Sequence, residues 1–118
     1  MPESVKRGEI YWVDWGEGKG SEQSGVRPAL IIQNDIGNKA SPNTIVASIT
    51  TAPNKPYPFL VEFTSQESGL DKDGAVDLAS IMTTSKKRLG NKCGQLTSQK
   101  MLEVDSAIKI SLELAELE

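Results

Sequence analysis

Up to residue 96 the apolar residues come in short runs broken by glycine and proline, and a helical period begins only at Thr97. Arg7 to Trp15 is rich in aromatic and β-branched residues. With Ile10 and Trp12 on one face and Tyr11, Val13 and Trp15 on the other, it reads as a strand buried on both sides. Residues 29–33 form a second apolar run, and Thr44 to Thr51 alternates Ile45, Ala47 and Ile49 with polar or smaller partners. Pro53, Pro56 and Pro58 bar regular pairing until Phe59 to Phe63, and short apolar segments follow at Val76–Leu78 and Ile81–Met82. Beyond Thr97 or Ser98, either a good N-cap, Met101, Val104, Ile108, Leu112 and Ala115 recur at three- and four-residue spacing. Five or more short strands and one terminal helix predict a mainly β, α+β chain folded as a small SH3-like barrel closed by the helix.

A chain of 118 residues supports one domain, 1–118, with a modest core. Nothing near Met1-Pro2-Glu3-Ser4 resembles a signal peptide and no segment approaches the ~20 apolar residues of a membrane span, so a cytoplasmic location is expected. One cysteine, Cys93, and no histidine leave no plausible zinc cluster, and neither a metal nor another cofactor is expected. The net charge of −3 argues against a general nucleic-acid binder. Residues 97–118, however, hold two lysines and five acids, so the first 96 are neutral overall and carry a basic cluster at Lys86-Lys87-Arg88 and Lys92. A local positive groove is compatible with that distribution, as is a solvated turn.

The stretch Gly20-Ser21-Glu22-Gln23-Ser24-Gly25-Val26-Arg27-Pro28 is a glycine-bounded polar loop that delivers an arginine to the mouth of the apolar run Ala29-Leu30-Ile31-Ile32. A planar guanidinium that keeps its charge and donates bidentate hydrogen bonds is suited to phosphate. RNA can be cut without metal or added water, because its own 2′-hydroxyl attacks the neighbouring phosphate. The protein then has to remove the 2′-proton, stabilise the charged phosphorane and help the 5′-oxygen leave. Without histidine, such work falls to Arg27, Thr50, Glu22, a lysine or a tyrosine. Transition-state stabilisation suits Arg27 better than proton donation. Trp12 and Trp15 read as core or dimer-interface residues, with base stacking as the alternative.

This motif, the preceding Arg7-Gly8-Glu9-Ile10-Tyr11, the following Gln33-Asn34-Asp35 and Ile49-Thr50, and Val104 to Leu112 closely resemble the MazF/PemK/Kid family of toxin ribonucleases. The resemblance covers nearly the whole chain. It implies the small barrel of the MazF/CcdB type and a sequence-specific, metal-independent endoribonuclease that cuts single-stranded RNA to 2′,3′-cyclic phosphate and 5′-hydroxyl ends. It also implies a homodimer neutralised by a MazE-like antitoxin. The catalytic roles fall on Arg27 and Thr50, and Lys19, Ser21, Glu22 and Gln23 are implied as RNA contacts, with Thr51 and Ser80 assigned to the same groove. Asn34 either faces that groove or makes an Asx turn with Asp35. Which group acts as base is open, and Glu22 is a candidate.

One segment departs from the family pattern. Where relatives commonly carry Q-x-R-T-[IL]-D, this chain has Ser80, Met82 and Ser85 in place of the glutamine, arginine and aspartate, which predicts altered base selection. Two other functions fit the same fold. One is a gyrase poison like the CcdB branch, which depends on a C-terminal tryptophan where this chain reads Leu114-Ala115-Glu116-Leu117-Glu118. The other is a catalytically weak module that binds RNA or antitoxin.

Overall fold

A computed structural model describes residues 4–16, 25–51 and 55–114. The strands are β1 (Glu9–Asp14), β2 (Val26–Ile31), β3 (Asn43–Thr50), β4 (Leu60–Phe63), β5 (Gly74–Ser85) and β6 (Leu89–Gln95). They form one antiparallel sheet in the order β4-β5-β3-β2-β1-β6. The expected mainly β fold with a C-terminal helix is present. β4 and β6 stand at opposite edges, so the barrel is not fully closed.

Side-chain alternation separates two apolar clusters across this sheet. Ile10, Leu30, Ala47, Ile49, Val76 and Leu78 face the C-terminal helix α3 (Ser98–Ser111), which contributes buried Val104 and Ala107. Tyr11, Val13, Ala29, Ile31, Val46 and Leu89 form the second cluster on the other face. Fully buried Ile10, Leu30 and Leu78 contribute on the order of 1.5–3 kcal/mol each through removal from water. Thr97 caps α3 by accepting from the Lys100 N–H, as expected. Not all of the helix's apolar residues are covered: Leu102 is exposed, and so is Leu112 just past the helix end.

Several elements differ from the sequence reading. The connection after Gln33 holds a short helix, α1 (Asp35–Ala40), capped by Asn34, whose Oδ1 accepts from the Gly37 N–H at 2.8 Å. A single-turn helix, α2 (Ser65–Ser68), is set by a capping box in which Thr64 and Glu67 each accept from the other's backbone N–H. The two short segments at 76–82 belong to one strand, β5, whose pairing with β3 jumps from Ser48↔Asp77 to Ala47↔Ile81. That bulge breaks the alternation that would have revealed a long strand.

The basic cluster does not make an open groove. Lys86 begins a 3-10 turn and is turned inward, its Nζ donating to the Asn38 carbonyl, while Arg88 donates to the Asp14 carbonyl at 3.2 Å. Lys92 pairs with Glu9 at 3.1 Å. Lys86 joins a buried polar network: Thr44 Oγ1 and Gln33 Nε2 both donate to Asn38 Oδ1, at 2.7 and 3.0 Å. At the sheet edge, Lys100 Nζ donates to the Glu62 carbonyl of β4 at 2.7 Å and lies 3.3 Å from Glu103.

Arg7 ties three elements together. Its backbone N–H donates to Asp35 Oδ1, Nε to the Ile32 carbonyl and Nη2 to Asp105 Oδ1, each at 2.8 Å. The bond from the Arg7 backbone, followed by the one from Asn38 Nδ2, holds the Asp35 carboxyl below the usual carboxylate range. A carboxyl with a depressed native pKa stabilises the fold above its unfolded pKa, and that contribution is lost as pH falls through the native value. Asp35→Asn is therefore expected to lower the urea midpoint at neutral pH, and the gap from the parent should close in acid. A gap independent of pH would show that the carboxylate charge is not what these bonds hold.

Candidate active site

Gly16 and Gly25 bracket residues 17–24 and close on each other: the Gly25 N–H donates to the Gly16 carbonyl at 2.7 Å and the Trp15 N–H to the Gly25 carbonyl at 2.9 Å. Both glycines have positive φ, +70° and +74°, a backbone conformation that costs glycine little. Arg27 follows two residues later on β2, exposed and opposite Val13. Pro28 has no N–H to donate, and the β2–β3 ladder stops at Ala29↔Ser48 although β2 stays paired to β1 as far as Val26. The ends of β2 and β3 are thus free of each other beyond that pair. Alternation from Ala29 and Ser48 puts Arg27 and Thr50 on one face of the sheet at those ends.

This brings together the two residues expected to carry chemistry, Arg27 and Thr50. Thr51, next in the chain, is exposed and turned to the opposite face. Ser80 lies in the β5 bulge, where its hydroxyl donates to Asp77 Oδ2 at 3.1 Å. Asn34 is engaged in capping α1, which is the Asx-type alternative. Lys19, Ser21, Glu22 and Gln23 lie outside the described residues.

The sequence reading missed two neighbours of the Arg27–Thr50 pair. Ser48 is 4% exposed and its Oγ has no hydrogen-bond partner among the described residues. Asp77 faces Ser48 from β5, on the same side of the sheet. Neither carries a motif, and only the strand register reveals them.

Across the sheet lies a cavity of about 460 Å³ lined by Trp12, Pro28, Ile49, Thr51, Phe63 and Leu70. Trp12 is 40% exposed at its wall, which excludes the core reading and is compatible with the dimer-interface and base-stacking readings, whereas Trp15 is half-buried against the second cluster. Cys93 also lines this cavity, and burial pushes its thiol pKa up. On β1, burial and then the hydrogen bond to Glu9 raise the Tyr11 hydroxyl to about 12, which keeps it protonated at neutral pH. Among the described residues no group of three or more His, Cys, Asp or Glu is placed to hold a metal ion, and no helix is long and apolar enough to cross a membrane.

The architecture is that of solved endoribonuclease toxins. An endoribonuclease in complex with its cognate antitoxin from Mycobacterial species superposes with a TM-score of 0.80 at 24% identity, covering 97% of this chain and 100% of that one. MazF from Deinococcus radiodurans gives 0.78 at 22% identity, over 93% and 97% of the two chains. In sequence, Endoribonuclease MazF of Staphylococcus epidermidis is 50% identical over 111 residues, 93% of this chain and 92% of that protein. Residues 6–112 match the model of the PemK-like, MazF-like toxins of type II toxin–antitoxin systems, and the chain belongs to that family.

Proposed function

We propose that this chain is an endoribonuclease toxin that cuts single-stranded RNA in the cytoplasm. The 2′-hydroxyl attacks the adjacent phosphate, leaving a 2′,3′-cyclic phosphate and a 5′-hydroxyl. The observation that carries the reading is the placement of Arg27 and Thr50 on one face where β2 and β3 no longer pair with each other, within a chain half identical to a protein named as an endoribonuclease. Arg27 grips the phosphate and stabilises the phosphorane through its fork of N–H donors, and Thr50 donates to a non-bridging oxygen. The nucleophile is already part of the substrate, so no metal-bound water is needed.

Glu22, from the loop anchored at Gly16 and Gly25, is the candidate base. Lys19, Ser21, Gln23 and Ser80 are proposed to contact RNA around the pair, whereas Thr51 faces the cavity on the opposite side of the sheet. The working form is a homodimer, to which the exposed Leu102, Leu112 and Leu114 lend apolar surface. A MazE-like antitoxin with an acidic segment inhibits by competing with RNA at Arg27.

The test is to incubate the purified protein with a long mixed-sequence RNA in excess EDTA and map the ends. Discrete cuts with 5′-hydroxyl products are expected. Strict Mg²⁺ dependence, or 3′-hydroxyl products, would overturn the mechanism.

A further inference from the structure

We propose that Asp77, held in place by Ser80, is a specificity-determining residue whose carboxylate accepts a hydrogen bond from the amino group of an unpaired RNA base; this rests on the endoribonuclease reading above. The sheet register supplies the placement. Thr50 pairs with Ala75 and Ser48 with Asp77, so Asp77 shares the face of Arg27 and Thr50. It is the diagonal neighbour of Thr50, a relation that spans roughly 7–8 Å. Of the other acids on that face, Glu62 is exposed on β4, one strand further out, and Glu9 on β1 is paired with Lys92.

The carboxylate is oriented without being used up. Oδ1 accepts from the Ala79 N–H at 2.9 Å and Oδ2 from Ser80 Oγ at 3.1 Å. Its two oxygens offer about four acceptor sites, so two remain for a ligand. Among the described residues no lysine or arginine forms a salt bridge with Asp77. Directly across the strand pair, the buried Ser48 hydroxyl has no partner among the described residues.

The chemistry of the acceptor selects the ligand. An ionised carboxylate accepts only, and single-stranded RNA displays the edges of its bases. Adenine, cytosine and guanine each carry an exocyclic amino group, while uracil flanks its one N–H with two carbonyls that a carboxylate repels. Ser80 is too short to read a base itself, and its hydroxyl is turned onto Asp77.

The experiment compares the cut-site profiles of the parent, Asp77→Asn and Asp77→Leu on one mixed-sequence RNA, with thermal melts alongside. The parent should disfavour uracil at one motif position on the order of 5- to 150-fold, the range for a base-specific contact. Asp77→Leu should abolish that bias, and Asp77→Asn, which gains an NH₂ donor, should shift it toward uracil, with the other positions unchanged. Variants that cut with the parent's profile would overturn the inference. So would a uniform loss of rate at every site with a lowered Tm, because Asp77 would then only pin the bulge. A parent protein that leaves the RNA intact would instead overturn the endoribonuclease reading, and this inference with it.

Discussion

Arg27→Ala is expected to lower the RNA cleavage rate by about 10²-fold or more, the usual loss when a main transition-state donor is removed. The side chain is exposed on β2, outside both apolar clusters, so the melting temperature should barely move. Arg27→Lys is the sharper probe. Lysine retains the charge but not the planar fork, and if bidentate contact to the phosphorane matters, most of the loss should persist. Thr50→Ala should also be severe, since its hydroxyl is placed on the same face at the end of β3. Single-turnover rates on a short RNA containing one mapped site measure all three. Folded Arg27→Ala and Thr50→Ala proteins with near-parental rates would remove both residues from the chemistry.

The second large effect is structural. Gly94→Ala should destabilise the fold by about 1–3 kcal/mol or more, the cost of overpacking a site that cannot relax. A Cβ built at Gly94 overlaps the Ser68 carbonyl oxygen at the end of α2, and the Leu70 side chain stands at 3.4 Å. The obstacle on one side is backbone, not the tip of a flexible side chain. Position 94 pairs with Ile10 of β1, so β6 cannot shift away without giving up that ladder. Urea unfolding followed by tryptophan fluorescence reads the loss. An unchanged midpoint would mean that α2 moves freely against β6.

Much of this molecule was legible in its sequence, and the gaps have physical causes. α3 was readable because fourteen residues suffice to express a helical period, and its Thr97 cap was visible in advance. α1 and α2, at six and four residues, are too short for a period, and only their caps announce them, through Asn34 and the Thr64-x-x-Glu67 box. β6 reads Leu89-Gly-Asn-Lys-Cys-Gly-Gln, too polar and glycine-rich to suggest a strand, and it exists because β1 offers it an edge. Arg27 and Thr50 were found from motif residues. Their relation in space was not, because register depends on which strands meet. Ser48 and Asp77 are ordinary strand residues until β3 and β5 are aligned.

An open sheet invites growth at its ends, where unpaired N–H and C=O groups are a template for another chain. β4 is one such end, only four residues long, and Lys100 from α3 already occupies its Glu62 carbonyl. The ammonium also brings a charge to a border that a neighbouring strand would have to dehydrate. The residue that clasps helix to sheet therefore doubles as a guard against edge-to-edge aggregation, so the sheet carries its own protection against forming fibres.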